Sequence, residues 1–233
     1  MKKTIGILGG MGPLATADLY RKIIEHTRAD RDSEHIRVYI DGNAAIPDRT
    51  AAILHGGEDP VPEMLSALRH LEACGADCII MPCNTAHYFL PRLREQTALP
   101  ILDMQRITAG VCRERFPGKT AAILATDGTV QSGLYDRALD AEGVRWIHPG
   151  EYEQKTLMHL IYDVVKASKP IEPETDTWRS LLAGLRARGA EFFILGCTEL
   201  PILASALDVP GPFVDPTEEL ARAAIRFCGR ETV

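Results

Sequence analysis

An internal repeat constrains the fold of this 233-residue chain more than any other feature. Three segments of the first half recur in the second half in the same order, at offsets of 116, 114 and 112 residues by subtraction of their first residue numbers. Such a repeat predicts two similar structural units. The alternative is that any two α/β units look alike, because a strand followed by a small residue is common in that class. The matched segments are Thr4–Gly12 with Thr120–Gly128, Leu71–Cys83 with Leu185–Cys197, and Pro100–Asp103 with Pro212–Asp215.

Short apolar runs alternate with stretches in which apolar residues recur every three or four positions. The second pattern is that of amphipathic helices, as in Val61–Leu71, Leu157–Val165 and Trp178–Leu185. Strands that alternate with helices indicate an α/β fold with parallel sheets. The runs that predict strands are Ile5–Leu8, Ile36–Ile40, Cys78–Met81, Ile101–Leu102, Ala121–Leu124, Val144–Ile147, Phe192–Leu195 and Phe213–Val214.

The predicted fold is therefore α/β, with two similar lobes of mainly parallel sheets flanked by helices. We expect the lobes to be related by a pseudo-twofold axis, with the active site in the cleft between them, because ligands of open α/β sheets bind at the ends of strands. The first lobe is expected to comprise residues 1–104 plus 211–233, with a returning C-terminal helix at Thr217–Cys228, and the second lobe residues 105–210.

Composition and charge exclude several classes of function. The net charge is -6 with no basic block, and aromatic residues make up 6% of the chain, so a nucleic-acid partner is not expected. No run of about 18 apolar residues occurs, so no membrane-spanning helix is predicted. Six cysteines in a chain of this length are not a disulfide framework, and we interpret them as reduced thiols of a cytoplasmic protein.

Two of the cysteines occupy equivalent places in the repeat. Cys83 follows the strand Cys78–Met81, and Cys197 follows the strand Phe192–Leu195. A helix or turn is expected to begin at each thiol, where free backbone N–H groups favour anions, so the prediction is a lowered cysteine pKa at both sites.

One thiol per lobe, both facing one cleft, suits the inversion of a carbon acid without a cofactor. One thiolate removes a proton while the opposite thiol donates one, and the two thiols exchange protonation states at each turnover. The carbanion that develops would be stabilised through a carboxylate held by N–H groups and hydroxyls.

At these residues the chain resembles the aspartate racemases of the Asp/Glu racemase superfamily. The resemblance covers nearly the whole chain and rests on Gly9–Thr16, Ile46–Thr50, Pro82–His87 and Gly196–Glu199. It implies a two-lobed fold, racemisation of an acidic amino acid (most simply L-aspartate to D-aspartate), no pyridoxal phosphate, no metal and a homodimer. Glutamate racemases of the superfamily carry His where this chain has Glu199, which argues against a cell-wall glutamate racemase. Racemisation of glutamate or of a broader range of amino acids stays open as the alternative.

The resemblance also implies roles for individual residues. Cys83 and Cys197 match the catalytic cysteines. Arg49 and Lys166 match basic residues that would hold the side-chain carboxylate of the substrate, and Asn84, Thr85 and Thr198 would hold its α-carboxylate. The full set of expected substrate-binding residues is Met11, Arg49, Thr50, Asn84, Thr85, Ala86, Thr126, Lys166, Thr198 and Glu199.

Two other classes of enzyme stay open at this stage. Gly10, Gly12 and Ala15 after a strand fit a loose dinucleotide fingerprint, which would suit a nucleotide-binding oxidoreductase, although Pro13 crowds the helix start. Cys83 with His87 could form the nucleophile–base pair of a cysteine hydrolase. That arrangement leaves Cys197 without a role, and we interpret His87 as a packing residue. Pro91 predicts a helix that starts near Leu90, after a separate turn at Asn84–Tyr88.

Overall fold

The computed structural model describes residues 3–233, which divide into two compact units. The first unit is the described chain up to Ile107 together with Thr217–Val233, and the second is Thr108–Pro216. The expected boundaries, after 104 and after 210, therefore differ from the observed ones by a few residues.

The first unit has a three-stranded parallel sheet with the order β2-β1-β3. Short 3₁₀ helices lie at Asp32–Glu34 and Thr85–Phe89. The elements in chain order are β1 (Ile5–Leu8), α1 (Pro13–His26), β2 (Val38–Asp41), α2 (Arg49–Leu54), α3 (Val61–Ala73), β3 (Cys78–Ile80), α4 (Leu90–Arg94) and α5 (Met104–Arg115), in which the chain passes to the second unit.

The second unit has a four-stranded parallel sheet with the order β5-β4-β6-β7. A π-helix at His159–Val165 follows α8, and a 3₁₀ helix lies at Glu172–Glu174. The elements are β4 (Thr120–Leu124), α6 (Asp127–Gln131), α7 (Leu134–Ala141), β5 (Arg145–Ile147), α8 (Glu151–Met158), α9 (Thr175–Ala187), β6 (Phe192–Leu195), α10 (Glu199–Leu207), β7 (Phe213–Val214) and α11 (Pro216–Phe227), which lies in the first unit from Thr217 onward.

The two sheets share one strand order, as the repeat predicts. In the first unit the amide of Ile79 donates to the carbonyl of Pro100 at 2.9 Å, and in the second the amide of Phe193 donates to that of Pro212 at 3.0 Å. The helices that precede β3 and β6 also end alike, at Gly75 and Gly189, which both have positive φ. That backbone conformation favours glycine and ends a helix. The predicted α/β class with parallel sheets is thereby confirmed.

Each sheet carries apolar side chains on both faces. Along β6, Phe192 and Ile194 belong to one buried cluster, and Phe193 and Leu195 belong to the other. This alternation follows from the two-residue period of a strand, and a sheet buried on both faces needs helices on both sides. In the first unit α11 supplies part of that cover, because Leu220 and Ala224 pack with Ile5 and Ile7 of β1.

Three sequence expectations need correction. The strand expected at Ile101–Leu102 is only an isolated parallel bridge between Ile79 and Ile101. The strand expected from Ile36 begins at Val38. Phe213–Val214, which was assigned to the first lobe, pairs with β6 and therefore belongs to the second sheet. The expected helix start near Pro91 is confirmed, since α4 begins at Leu90 after the 3₁₀ helix Thr85–Phe89.

Candidate active site

The carboxyl ends of β3 and β6 carry the two repeated cysteines. Cys83 is 6% exposed and Cys197 is 7% exposed. A 3₁₀ helix begins at Thr85, just after Cys83, and α10 begins at Glu199, just after Cys197. Each thiol therefore lies where a parallel strand ends and a helical turn starts, which is where α/β proteins place their ligands.

In the first unit the loop after β1 lies beside the cysteine segment. Met11 is buried in the same apolar cluster as Cys83 and Ala86. Gly10 has φ +90°, and a Cβ atom there would lie 2.2 Å from the carbonyl oxygen of Asn43. Only glycine lets this loop approach the segment after β2 so closely.

Arg49 connects this loop to α2. Its guanidinium donates to the carbonyls of Pro47 at 2.9 Å and Ile46 at 3.2 Å, and its second terminal nitrogen lies 3.5 Å from the carbonyl of Met11. Asp48 caps α2 by accepting from the amide of Ala51 at 2.8 Å. The buried Arg49 charge is thus held among backbone oxygens, and an anion that reached it would gain a charge-assisted hydrogen bond.

Buried polar side chains fix the turn that follows Cys83. The amide of Met104 donates to Nε2 of His87 at 3.2 Å, so Nδ1 of His87 carries the hydrogen and donates to the carbonyl of Cys83 at 2.9 Å. Gln105 donates to the carbonyl of Asn84 at 3.0 Å. Burial lowers the pKa of His87 and keeps the ring neutral.

These bonds decide the role of His87. Both ring nitrogens are engaged by backbone groups, so neither is available to take a proton from the Cys83 thiol. The interpretation of His87 as a packing residue is confirmed, and the cysteine-hydrolase hypothesis loses its base.

In the second unit a carboxylate lies against the cysteine. The Cys197 thiol donates to Oε2 of Glu199 at 2.9 Å, and the hydroxyl of Thr198 donates to the same oxygen at 3.3 Å. Thr198 and Glu199 are both buried. The carboxylate accepts from two neighbours at once, so its direction toward the sulfur is well defined.

The electrostatics of Cys197 contradict the sequence expectation of a lowered pKa. Burial raises the pKa of the Cys197 thiol well above its usual range, and the negative charge of Glu199 raises it further. The positive charge of Lys166 acts in the opposite direction but is outweighed. Cys197 is therefore a protonated thiol at neutral pH, a proton donor in its resting form.

Lys166 and Thr126 come from other elements of the same unit, and of the two Lys166 is close enough for its charge to act on Cys197. Lys166 follows the π-helix, is exposed, and has its ammonium 4.1 Å from the centre of the Tyr162 ring. Thr126 follows β4, the strand next to β6, and caps α6 by accepting from the amide of Thr129 at 3.4 Å. Both lie in the same unit as Cys197.

The structure thus groups the expected site residues by unit. Lys166, Thr126, Thr198 and Glu199 lie in the same unit as Cys197. The residues that lie in the same unit as Cys83 are Met11, Arg49, Thr50, Asn84, Thr85 and Ala86.

Two features of the site were missed from the sequence, Gln105 and the π-helix. A single buried glutamine carries no sequence signal. An apolar pattern does not distinguish a π-helix from an α-helix, although π-helical turns often occur at functional sites.

One known protein family matches most of the chain. The family model described as Asp/Glu/hydantoin racemase matches residues 8–224. The chain belongs to the Asp/Glu/hydantoin racemase family. It is therefore an isomerase, an amino-acid racemase of this family. Membership also removes the reason to read the Gly10–Ala15 loop as a dinucleotide site.

Individual members of the racemase family cover nearly all of the chain. A broad-specificity amino-acid racemase of Bacillus subtilis is 26% identical over 227 residues, which is 95% of this chain and 96% of the relative. The structure of an aspartate racemase from Picrophilus torridus has a TM-score of 0.84 at 30% identity and covers 99% of this chain and 96% of its own. A glutamate racemase of Desulforudis audaxviator is 29% identical over 81% of this chain and 71% of its own length.

Two structural findings apply to the described residues 3–233. None of their helices combines the length and apolar character needed to span a membrane. Within the same residues, no cluster of three or more His, Cys, Asp or Glu side chains has the arrangement of a metal site.

Proposed function

We propose that the chain interconverts L- and D-aspartate by two-base proton transfer between Cys83 and Cys197, without a cofactor. The observation that carries the proposal is the pair of thiols at equivalent ends of β3 and β6. In this proposal the two thiols act on opposite faces of the Cα atom of one substrate. The protein works as a homodimer in the cytoplasm.

The proposed reaction is balanced and involves no redox change. The thiolate of one cysteine takes the Cα proton, so an S–H bond forms as the C–H bond breaks, and the electron pair moves onto the adjoining carboxylate. The thiol of the other cysteine then gives its proton to the opposite face of Cα. After one turnover the protonation states of the two sulfurs are exchanged.

The raised pKa of Cys197 supports an assignment of the starting states. Because this thiol is held protonated by burial and by Glu199, Cys197 donates and Cys83 accepts in one direction of the reaction. In the reverse direction Cys197 must lose its proton. The Glu199 carboxylate already accepts the hydrogen bond of this thiol and is therefore the group placed to take that proton.

Substrate binding is assigned to the groups beside each sulfur. Arg49 and Lys166 hold the side-chain carboxylate of aspartate, and Asn84, Thr85 and Thr198 hold its α-carboxylate. The remaining members of the set, Met11, Thr50, Ala86, Thr126 and Glu199, shape the pocket. The likeness to the Picrophilus aspartate racemase, at 30% identity over 99% of the chain, supports aspartate as the substrate.

A second candidate is a racemase of broader specificity. The similarity to the Bacillus subtilis broad-specificity enzyme over 95% of the chain favours it. The two candidates differ in what they accept, so a panel of L- and D-amino acids separates them. A kcat/KM for aspartate at least about tenfold above those for glutamate and neutral amino acids supports aspartate racemisation, since one extra methylene is worth about 10–200-fold. Equal values for neutral amino acids would refute it.

The decisive experiment follows aspartate by circular dichroism with purified protein and no added cofactor. We expect Cys83→Ala and Cys197→Ala each to abolish racemisation, because both bases are required. Cys74→Ala, at an exposed thiol outside both cysteine segments, is the matched control and keeps wild-type turnover.

Hydrogen exchange at Cα sharpens the test. In deuterated water, each single cysteine variant retains one base, so it exchanges the Cα hydrogen of only one enantiomer, and the two variants act on opposite enantiomers. Wild-type racemisation by either single variant, or exchange of both enantiomers by one of them, would overturn the two-base mechanism.

A further inference from the structure

The first unit contains a second pair of cysteines that the proposed racemase site does not use. Cys78 lies in β3 and is fully buried, while Cys228 follows α11 and is half-buried. Cys228 packs against the apolar cluster that contains Cys78. The residues next to them in the chain meet just before β1, where the amide of Thr4 donates to Asp77 at 2.7 Å and the ammonium of Lys3 donates to the carbonyl of Phe227 at 3.1 Å. Two free thiols that are far apart in the sequence thus lie in one small region of the first unit.

A surface cavity of about 470 Å³ gives solvent access to one of these thiols. Cys228 lines the cavity, and Cys78 does not. Three permanent cations line it as well, against one acidic side chain, so its charge is positive. Besides Cys228, the charged and titratable residues of the lining are Lys3, Tyr20, Asp32, His35, Arg37 and Arg230.

The electrostatics favour ionisation of the accessible thiol. The hydrogen bond donated by Cys78 lowers the pKa of Cys228, and the charges of Lys3 and Arg230 lower it further, against the opposing effects of burial and Asp77. The same hydrogen bond raises the pKa of Cys78, which stays protonated. An accessible thiol of lowered pKa beside a protonated resolving thiol is the arrangement found in redox-sensitive cysteine pairs.

We propose that Cys228 is the peroxide-reactive thiol of this chain and that Cys78 resolves it as an intramolecular disulfide. The co-reactant is hydrogen peroxide, which enters through the cationic cavity. The Cys228 sulfur attacks one peroxide oxygen, so that an S–O bond forms and the O–O bond breaks, and the other oxygen takes up a proton and leaves as water. The Cys78 thiol then attacks the sulfenic sulfur, an S–S bond forms, and a second water leaves with the Cys78 proton. Two thiols are oxidised and one peroxide is reduced.

This proposal is independent of racemisation, because neither thiol belongs to the proposed active site. It also predicts an order of reactivity that accessibility alone does not. Cys74 is exposed, whereas Cys228 is half-buried and therefore less accessible. Reaction governed by exposure would modify Cys74 first, and reaction governed by ionisation modifies Cys228 first.

The test treats the full-length protein with a slight molar excess of hydrogen peroxide, blocks the remaining thiols with an alkylating agent and maps peptides without reduction. We expect a Cys78–Cys228 linked peptide, reversed by dithiothreitol, that forms several-fold faster than any oxidation of Cys74. Cys74→Ser leaves the linked peptide unchanged. Lys3→Gln, which removes one cation from the cavity, slows its formation several-fold.

Two variants divide the chemical steps. Cys228→Ser abolishes the linked peptide and leaves Cys78 reduced. Cys78→Ala removes the resolving thiol, so Cys228 accumulates as a sulfenic acid that dimedone traps. If Cys78→Ala does not fold, the wild-type and Cys228→Ser maps still decide the matter. Oxidation of Cys74 before Cys228, or oxidation of Cys228 with Cys78 left alkylatable in the wild type, would overturn the proposal.

Discussion

Replacement of Glu199 by glutamine tests the electrostatic account of Cys197 directly. The carboxylate oxygen lies 2.9 Å from the sulfur, so in the thiolate form two negative charges would face each other at that distance. At an effective dielectric constant of about 20 their repulsion is on the order of 6 kcal/mol. Relaxation of the site reduces this, since a single neighbouring charge usually shifts a pKa by about 1–3 units.

We therefore expect Glu199→Gln to lower the pKa of Cys197, because the repulsion between the carboxylate and the thiolate is removed. The pKa stays above its usual range, because burial of the thiol is the largest cause of the shift and is unchanged. The measurement is the rate of Cys197 alkylation by iodoacetamide as a function of pH, read by peptide mass spectrometry. At pH 7 the rate rises by roughly tenfold to a hundredfold, since each unit changes the thiolate fraction about tenfold.

A matched control removes a buried carboxylate elsewhere. Glu219 is 7% exposed on α11, in the other unit, and Glu219→Gln should leave the alkylation profile of Cys197 unchanged. The lowered pKa of Cys197 should also appear in the pH profile of racemisation. The limb of that profile that reflects a group that must be protonated should move to lower pH in Glu199→Gln. An unchanged or raised pKa of Cys197 in Glu199→Gln would refute the reasoning.

Three further outcomes follow from the described contacts. Lys166→Gln should raise the pKa of Cys197 and slow its alkylation, by less than Glu199→Gln speeds it, because the charge of Lys166 is exposed and screened. Burial lowers the pKa of His87 below its unfolded value of about 6.5, so the unfolded state binds more protons than the folded state. The free energy of unfolding should therefore fall as the pH drops below about 6.5. Urea midpoints measured at two pH values should show a smaller fall in His87→Gln. Gly10→Ala should destabilise the fold by about 2–4 kcal/mol in urea unfolding, whereas Gly42→Ala, with open space at its Cβ position, should cost less than about 1 kcal/mol.

The fold was predictable where the repeat combines local signals with periodicity. In the repeated segments Leu71–Cys83 and Leu185–Cys197, the pairs Gly75-Ala76 and Gly189-Ala190 predict the end of a helix, and the apolar run after each pair predicts a buried strand. The structure has both features in both segments. The place of the two cysteines follows from the same pattern, because a residue just after a buried parallel strand lies at its carboxyl end.

Other features depend on which chain segments meet, and a single sequence does not encode that locally. Pro100–Asp103 and Pro212–Asp215 look alike, yet Ile101 forms only one bridge while Phe213–Val214 forms a strand with β6. The clearest failure concerns the pKa of Cys197. The start of a helix predicts a lowered pKa, but burial of the thiol, together with the negative charge of Glu199, raises it instead.

The difference between the two cysteine segments matters more for the proposed chemistry than their likeness. When Cys83 is matched with Cys197, neutral Thr85 falls opposite Glu199, whose carboxylate accepts the hydrogen bond of the Cys197 thiol. Two identical thiol sites would have no reason to begin in opposite protonation states, which a two-base racemase needs. A duplicated fold places one thiol in each unit, and a carboxylate in only one of the two cysteine segments makes the sites unequal. Glu199 therefore provides the asymmetry that the proposed mechanism requires, and its loss should make the two thiol sites more alike by lowering the pKa of Cys197, so that proton donation by Cys197 fails at a lower pH than in the wild type.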